Sequence, residues 1–162
     1  MIARILPPVL HRLALRVAHR VRILWWRWRR PVLAGVCVIG RDPQGRVLLV
    51  WHSYGKGHWG LPSGSLGRNE DPAHAAQREL REETACSLRD LCGLGRFTHS
   101  LYGARNTVHV YTGLIEGTPC PDGREVLEAR FFARDALPAP LNAQVPRLLA
   151  LLDGPDGLSE QG

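Results

Sequence analysis

Hydrophobic positions change their spacing along the chain, and each change marks a different element. In the first thirty residues apolar side chains recur every three or four positions, which predicts an amphipathic helix over residues 8–29 that ends before Pro31. The runs VLAGVCVI at residues 32–39 and RVLLVW at residues 46–51 are apolar and rich in β-branched side chains, so they predict two strands. The Asp-Pro-Gln-Gly turn signature between them indicates a hairpin.

The rest of the chain alternates between helical and strand patterns. Asp71-Pro72 marks the start of a predicted helix over residues 71–84, with Ala73, Ala76 and Leu80 as its inward face. Strands are predicted near 94–103, 107–115 and 126–132, and a short helix near 142–152. The order of strands, helix, strands and helix predicts an α+β or mixed α/β fold. Residues 31–152 are expected to form one domain, followed by a polar tail at residues 153–162.

Charge separates the first thirty residues from the domain. The whole chain carries a net charge of +6, yet residues 1–30 hold eight arginines and no acidic residue. The remaining 132 residues hold 13 basic and 15 acidic side chains. The basic character therefore belongs to the N-terminal segment, as in chains with an appended surface-binding element.

Three partners fit this basic segment, residues 8–30. Its arginines, apolar face and tryptophans suit a membrane interface with anionic lipid. The favoured alternative is that its apolar stripe packs on the domain or on a second copy of the chain, giving a homodimer. Nucleic acid, with tryptophans stacking on exposed bases, is the least favoured of the three. No apolar run is long enough to span a bilayer, and the four cysteines form no CxxC pair, so we expect a cytoplasmic chain with free thiols.

A cluster of acids lies in the predicted helix over residues 71–84. Glu79, Glu82 and Glu83 stand at positions i, i+3 and i+4, so they project from one face and repel one another. A hard divalent cation such as Mg²⁺ reverses the sign of that interaction, because it takes carboxylate oxygens as ligands. A solvated helix face without a ligand is the alternative explanation. The glycine-rich loop HWGLPSGSLGRNE directly before the helix favours a phosphate-binding role.

The same residues resemble a known family motif. Gly64, Glu70 and the run Arg78-Glu79-Leu80-x-Glu82-Glu83-x-Ala85-Cys86 are similar to the Nudix box, G-x5-E-x7-R-E-U-x-E-E-x-G-U, in which U is bulky and apolar. Every charged position matches at the right spacing. Ala85 replaces the family's closing glycine, and Ser63 replaces the first glycine of its Pro-Gly-Gly stretch. Residues 31–152 resemble a Nudix hydrolase domain, and the first thirty residues lie outside the resemblance.

The resemblance implies an α/β/α sandwich and hydrolysis, dependent on Mg²⁺ or Mn²⁺, of a diphosphate in a nucleoside diphosphate linked to another moiety. It implies that Glu79, Glu82 and Glu83 bind metal, together with the backbone carbonyl of Ser63. Arg78 and Glu70 would brace the helix. The general base is open among Glu82, Glu125 and Glu128. A catalytically weak module that binds or senses a nucleotide is the alternative function, since Ser63 and Ala85 depart from the motif.

Several side chains near the box are candidates for substrate binding. His52, Tyr54, Lys56 and Trp59 lie in or beside the loop that precedes it. Lys56 would meet phosphate there, and either Tyr54 or Trp59 would stack on a base. Packing of Trp59 in the core is the alternative. Arg105 lies on a later loop or strand and is a candidate for the same cleft. None of these residues identifies the base, the sugar or the leaving group.

Overall fold

The structure is a computed structural model that describes residues 32–54, 57–101, 104–121 and 123–154, together with Ala14, Val17, Ala18 and Val21. The rest of the predicted helix over residues 8–29 and the tail from residue 155 lie outside the described residues. No helix in the described part of the chain is long and apolar enough to cross a bilayer.

Between residues 32 and 154 the described residues form seven strands and two α-helices. In chain order these are β1 (Val32–Arg41), β2 (Val47–His52), β3 (Trp59–Gly60), β4 (Ser63–Ser65), α1 (Pro72–Thr84), β5 (Ser87–Leu101), β6 (Ala104–Glu116), β7 (Val126–Phe132) and α2 (Gln144–Leu149). A 3-10 turn, Ala150–Asp153, follows α2.

The strands form one mixed sheet whose central path runs β3-β2-β1-β6-β5. β1 pairs with β6 in parallel along its whole length and with β4 in antiparallel fashion from Gly35 to Cys37. The predicted hairpin of β1 and β2 is paired at its turn, where Arg41 lies opposite Val47. β4 takes the remaining edge of β1, so β2 diverges from β1 and pairs instead with β7.

Each face of the sheet packs against one helix, because successive side chains of a strand point to opposite faces. Val36 and Val38 of β1 join the cluster under α1, whereas Cys37 and Ile39 join the cluster under α2. Ala75, Ala76 and Leu80 are the fully buried residues of α1 in the first cluster, and Ala73 is only half-buried. The α/β/α sandwich and the α+β class are therefore confirmed, while the inward face of α1 is centred on Ala75 and Ala76 rather than Ala73.

The boundaries of two elements differ from their predictions. β5 begins at Ser87, seven residues before the predicted strand, and it is interrupted by irregularities between Arg89 and Cys92 and between Gly93 and Gly95. These bulges break the two-residue alternation on which the prediction depended. The last predicted helix is shorter, because α2 ends at Leu149 and continues as the 3-10 turn.

Both ends of α1 are fixed by local backbone chemistry. The Asp71 carboxylate accepts hydrogen bonds from the backbone N–H groups of Ala73 and His74, at 2.9 and 3.1 Å, which caps the helix N-terminus. The C-terminus ends at Ala85, whose N–H donates to the Arg81 carbonyl at 2.9 Å. Ala85 has φ +60° and ψ +12°, the left-handed conformation that favours glycine.

We predict that Ala85→Gly stabilises the protein by about 0.5–1 kcal/mol, because relief of the left-handed strain exceeds the extra entropy of glycine in the unfolded chain. The free energy of unfolding, measured by urea denaturation, tests this. Ala150→Gly is the matched control: Ala150 has φ −62°, so the same change should destabilise the protein by a similar amount. Equal or lower stability of Ala85→Gly would show that Ala85 is unstrained.

Candidate active site

Helix α1 presents its three glutamates at very different depths. Glu83 is buried, with 6% of the residue exposed, because it lies under β2 and β4. The side chain of Glu79 is 13% exposed and that of Glu82 is 60% exposed. The acidic face therefore runs from the interior of the domain to its surface within one turn of helix.

Arg78 connects this face to the loop before the helix. Its Nε and Nη2 atoms donate to the two carboxylate oxygens of Glu70 at 2.8 and 3.0 Å, a bidentate pair. Its Nη1 atom donates to Glu79 at 2.8 Å and to Glu82 at 3.2 Å. Nη2 also donates to the Ser65 carbonyl at 3.2 Å. One guanidinium thus holds three carboxylates and the end of β4.

Glu70 fixes the loop in turn. It accepts a hydrogen bond from the Gly67 N–H at 2.8 Å, and its own N–H donates to the Gly67 carbonyl at 3.1 Å. The bond from Arg78, followed by that from Gly67, lowers the pKa of the Glu70 carboxyl to about 2. Glu70 is therefore ionised at any neutral pH, and its charge is matched by Arg78. The structure brings these two residues together, as the sequence predicts.

Glu83 is held by two donors. His52 Nε2 lies 2.8 Å from Oε1, and the Ser63 N–H donates to Oε2 at 3.2 Å. Burial raises the pKa of Glu83, and the bonds from His52 and Ser63 oppose that rise. Burial also raises the pKa of Glu79, against the opposing effect of Arg78. Both carboxylates lie in an environment that favours a compensating positive charge.

Two glycines let the backbone approach the acidic face closely. A Cβ on Gly64 would overlap the Glu79 carboxylate, so only glycine leaves room for that side chain against β4. A Cβ on Gly35 would lie 2.8 Å from the Gly64 carbonyl oxygen. Ser63 has an ordinary extended backbone in β4 and is not among the described residues with positive φ. Replacing glycine by serine at position 63 therefore adds no backbone strain.

The glutamates of α1 and the backbone beside Gly64 have the chemistry of a site for a divalent cation. The donors are carboxylate oxygens, the ligands that Mg²⁺ prefers, and the glycine cradle at Gly64 brings backbone to the same point as Glu79. Within the described ranges, no three His, Cys, Asp or Glu side chains converge on one point as they stand. Glu79 and Glu82 are turned toward Arg78, and Glu83 is turned toward His52.

Comparison with known proteins identifies the family. The profile of the NUDIX domain matches residues 31–152, most of the chain. The chain belongs to the NUDIX domain family. The resemblance of the acidic helix and its loop to the Nudix box is thereby confirmed.

Relatives of this Nudix chain support the fold. A MutT NUDIX hydrolase from Burkholderia pseudomallei is 26% identical, with a TM-score of 0.68, over 75% of this chain and 98% of that one. The NUDIX domain of NrtR from Shewanella oneidensis, solved with ADP ribose, is 23% identical, with a TM-score of 0.65, over 75% of this chain and 86% of that one. An RNA pyrophosphohydrolase from Saccharophagus degradans is 38% identical over 60 residues. Those residues are 37% of this chain and 35% of that relative, so the match spans about a third of the relative's length.

Of the other candidate residues, Glu125 lies close enough to Glu83 to contribute to the rise of its pKa, whereas Glu128 and Trp59 lie apart from the acidic face. Glu128 pairs with Arg130 at 2.6 Å and lies opposite Trp51 in the β2–β7 ladder. Trp51 packs in the cluster under α2, so Glu128 lies on the sheet face away from α1. Trp59 is 8% exposed and packs edge-to-face on Trp51 and Phe132, with ring centroids 5.6 and 5.0 Å away. Its position is that of a core residue.

Two substrate candidates remain on the surface or outside the described residues. Arg105 is exposed on β6, opposite Ser100 of β5. Lys56 lies outside the described residues. The sequence does not predict the position of His52. It lies beside the candidate substrate loop in the sequence, yet it bonds to Glu83 from the end of β2. A histidine at the end of a strand gives no signal in the sequence for a partner 31 residues later.

Proposed function

We propose that this chain is a Nudix hydrolase that cleaves, with Mg²⁺ or Mn²⁺, a diphosphate linkage in a nucleoside diphosphate joined to another moiety. The observation that carries the proposal is the acidic face of α1, where Glu79, Glu82 and Glu83 meet the close backbone approach at Gly64. All charged positions of the Nudix box are present. The similarity to a MutT NUDIX hydrolase and to part of an RNA pyrophosphohydrolase supports the same reaction class.

Glu79, Glu82 and Glu83 would hold the cation, with the Ser63 carbonyl as a backbone ligand. When bound, such an ion polarises a diphosphate and lowers the pKa of a bound water molecule. The chain's own residues set the orientation of these ligands. Glu83 is fixed in place by two donors, whereas Glu79 and Glu82 share the single Nη1 atom of Arg78 and can turn from it without breaking its pair with Glu70.

Glu82 is the carboxylate best placed to accept a proton from water. Its side chain is the most exposed of the three. Its bond to Arg78, at 3.2 Å, is longer than the bonds of that guanidinium to Glu70 and Glu79. Glu128 is a poorer candidate, because it lies on the opposite sheet face and is paired with Arg130. Arg105 and Lys56 are proposed as phosphate contacts on the basis of their charge.

A nucleotide-type substrate is favoured by one neighbour, the NrtR NUDIX domain that was solved with ADP ribose. The alternative function is a weakly catalytic module that binds a nucleotide. This alternative is supported by Arg78, which donates hydrogen bonds to two of the three carboxylates, Glu79 and Glu82, and so competes with a cation for them. Turnover separates the two functions, because a binding module would bind a nucleotide without hydrolysing it.

We predict that Glu82→Gln lowers kcat about 10²–10⁴-fold, since it removes a ligand and a general base at once. Hydrolysis of a panel of nucleoside diphosphate and triphosphate derivatives, with Mg²⁺ and with Mn²⁺, measures this. Glu116→Gln is the matched control, because Glu116 is exposed at the far end of β6 beside Arg89. We expect Glu128→Gln to behave like the control.

Unchanged turnover in Glu82→Gln would remove the role assigned to Glu82. Loss of turnover in Glu128→Gln, with normal stability, would transfer the general base to that residue. No turnover by the wild type on the whole panel, together with measurable nucleotide binding, would favour the binding module.

A membrane contact through residues 8–30 is proposed for the basic N-terminal segment. Four of its residues are described, Ala14, Val17, Ala18 and Val21; they are helical and stand at i, i+3, i+4 and i+7, on one face. All four are exposed, with Val17 at 53% and Val21 at 60%. The eight arginines of residues 1–30 would attract an anionic lipid surface to this apolar face.

We predict that the full chain co-sediments with vesicles that contain anionic lipid at low salt, and that Val17→Glu with Val21→Glu weakens this several-fold because charge is buried poorly in lipid. Ala136→Glu with Ala143→Glu makes the same charge change on exposed positions of the domain and is the control. A chain that stays in the supernatant would refute the membrane contact. A drop in oligomer mass in the valine variant, without lipid binding, would instead indicate a homodimer.

A further inference from the structure

We propose that His52 is a positioning residue for Glu83, holding its carboxylate in the orientation in which it binds a divalent cation. This inference rests on the proposed function, because it concerns a ligand of the proposed metal site. It adds a residue that lies outside the Nudix box and that the motif does not contain. The structure assigns the role through one contact, the 2.8 Å bond between His52 Nε2 and Glu83 Oε1.

The sheet directs His52 toward the helix. β2 and β7 pair in regular register from Val47 to Trp51, and the register then shifts by one residue, so that His52 lies opposite Val126. Trp51 packs under α2, and the next side chain of the strand, His52, points to the opposite face, toward α1. The His52 ring also rests against Tyr54, with centroids 5.1 Å apart.

Glu83 needs such a partner more than its neighbours do. Its side chain is 7% exposed. Within the described residues, the bonds of the Arg78 guanidinium to carboxylates go to Glu70, Glu79 and Glu82. A buried carboxylate without donors is costly. His52 and the Ser63 N–H bind one oxygen each, so the plane of the carboxylate is fixed from two sides. Each oxygen keeps a lone pair for a cation.

The bond also defines the state of the ring. A carboxylate that binds a cation is ionised and only accepts hydrogen bonds, so in that form of the site Nε2 carries the hydrogen. A donor that hydrogen-bonds to a metal-binding carboxylate orients that carboxylate and changes its affinity for the metal without contacting the metal itself. A purely structural role for His52 would stabilise the fold through the same bond but leave the affinity of folded protein for the metal unchanged. Metal affinity therefore separates the two roles.

The test is the affinity of the full-length protein for Mn²⁺ alone, measured by the EPR signal of free Mn²⁺. We expect His52→Ala to weaken binding about 10–100-fold. His52→Gln should restore most of the affinity, because the glutamine amide nitrogen reaches the place of Nε2, whereas His52→Asn is too short to do so. His74→Ala, an exposed change on the first turn of α1, is the matched control. Urea denaturation of each variant defines conditions in which it is folded.

The Mn²⁺ affinities of the variants decide whether His52 positions Glu83. Weakened binding in folded His52→Ala, with recovery in His52→Gln, supports the positioning role. Equal Mn²⁺ affinity in folded His52→Ala and wild type would overturn it while leaving the proposed function intact. Equal loss in the Gln and Ala variants would also overturn it, since the donor at Nε2 would then not be what matters. Failure of the wild type itself to bind Mn²⁺ would overturn the metal-dependent function, and the role of His52 with it.

Discussion

Helix α1 brings Glu79, Glu82 and Glu83 onto one face, where their like charges raise the free energy of the folded chain. The surrounding structure reduces that cost in two ways. Arg78 pairs with the two outer carboxylates and with Glu70, while His52 and the Ser63 N–H hold the buried one. The helix and the loop before it are thereby fixed as one unit. A cation would supply the positive charge that burial of Glu79 and Glu83 still favours.

Close approach of backbone to this face depends on glycine at a small number of positions. Gly64 leaves room for the Glu79 carboxylate, and Gly35 leaves room for the Gly64 carbonyl. The two departures from the Nudix box fall on either side of this contact and differ in their effect. Ser63 keeps an extended backbone and donates its N–H to Glu83, so the geometry of the acidic face is retained. Ala85 takes a left-handed conformation at the end of α1, which costs stability at a point beyond the carboxylates.

Local signals in the sequence were sufficient for helix α1 and its charges. Asp71-Pro72 predicts the start of the helix, the spacing of the glutamates predicts one face, and Glu70 with Arg78 predicts the brace. Features that depend on strand register were not accessible in this way. The position of Glu128 on the far sheet face follows from its pairing opposite Trp51. The direction of His52 toward α1 follows from its place directly after Trp51, since successive side chains of a strand point to opposite faces. The early start of β5 could not be predicted, because bulges interrupt the alternation of apolar and polar side chains along the strand.

If the acidic face of α1 is a site for a divalent cation, anomalous diffraction from crystals grown with Mn²⁺ will locate the ion there. We expect an anomalous peak bound by the carboxylates of Glu79, Glu82 and Glu83, with Arg78 released from Glu79 and Glu82 but still paired with Glu70. Crystals that contain Mn²⁺ elsewhere, or none, while Arg78 keeps all three of its carboxylate partners, would contradict it.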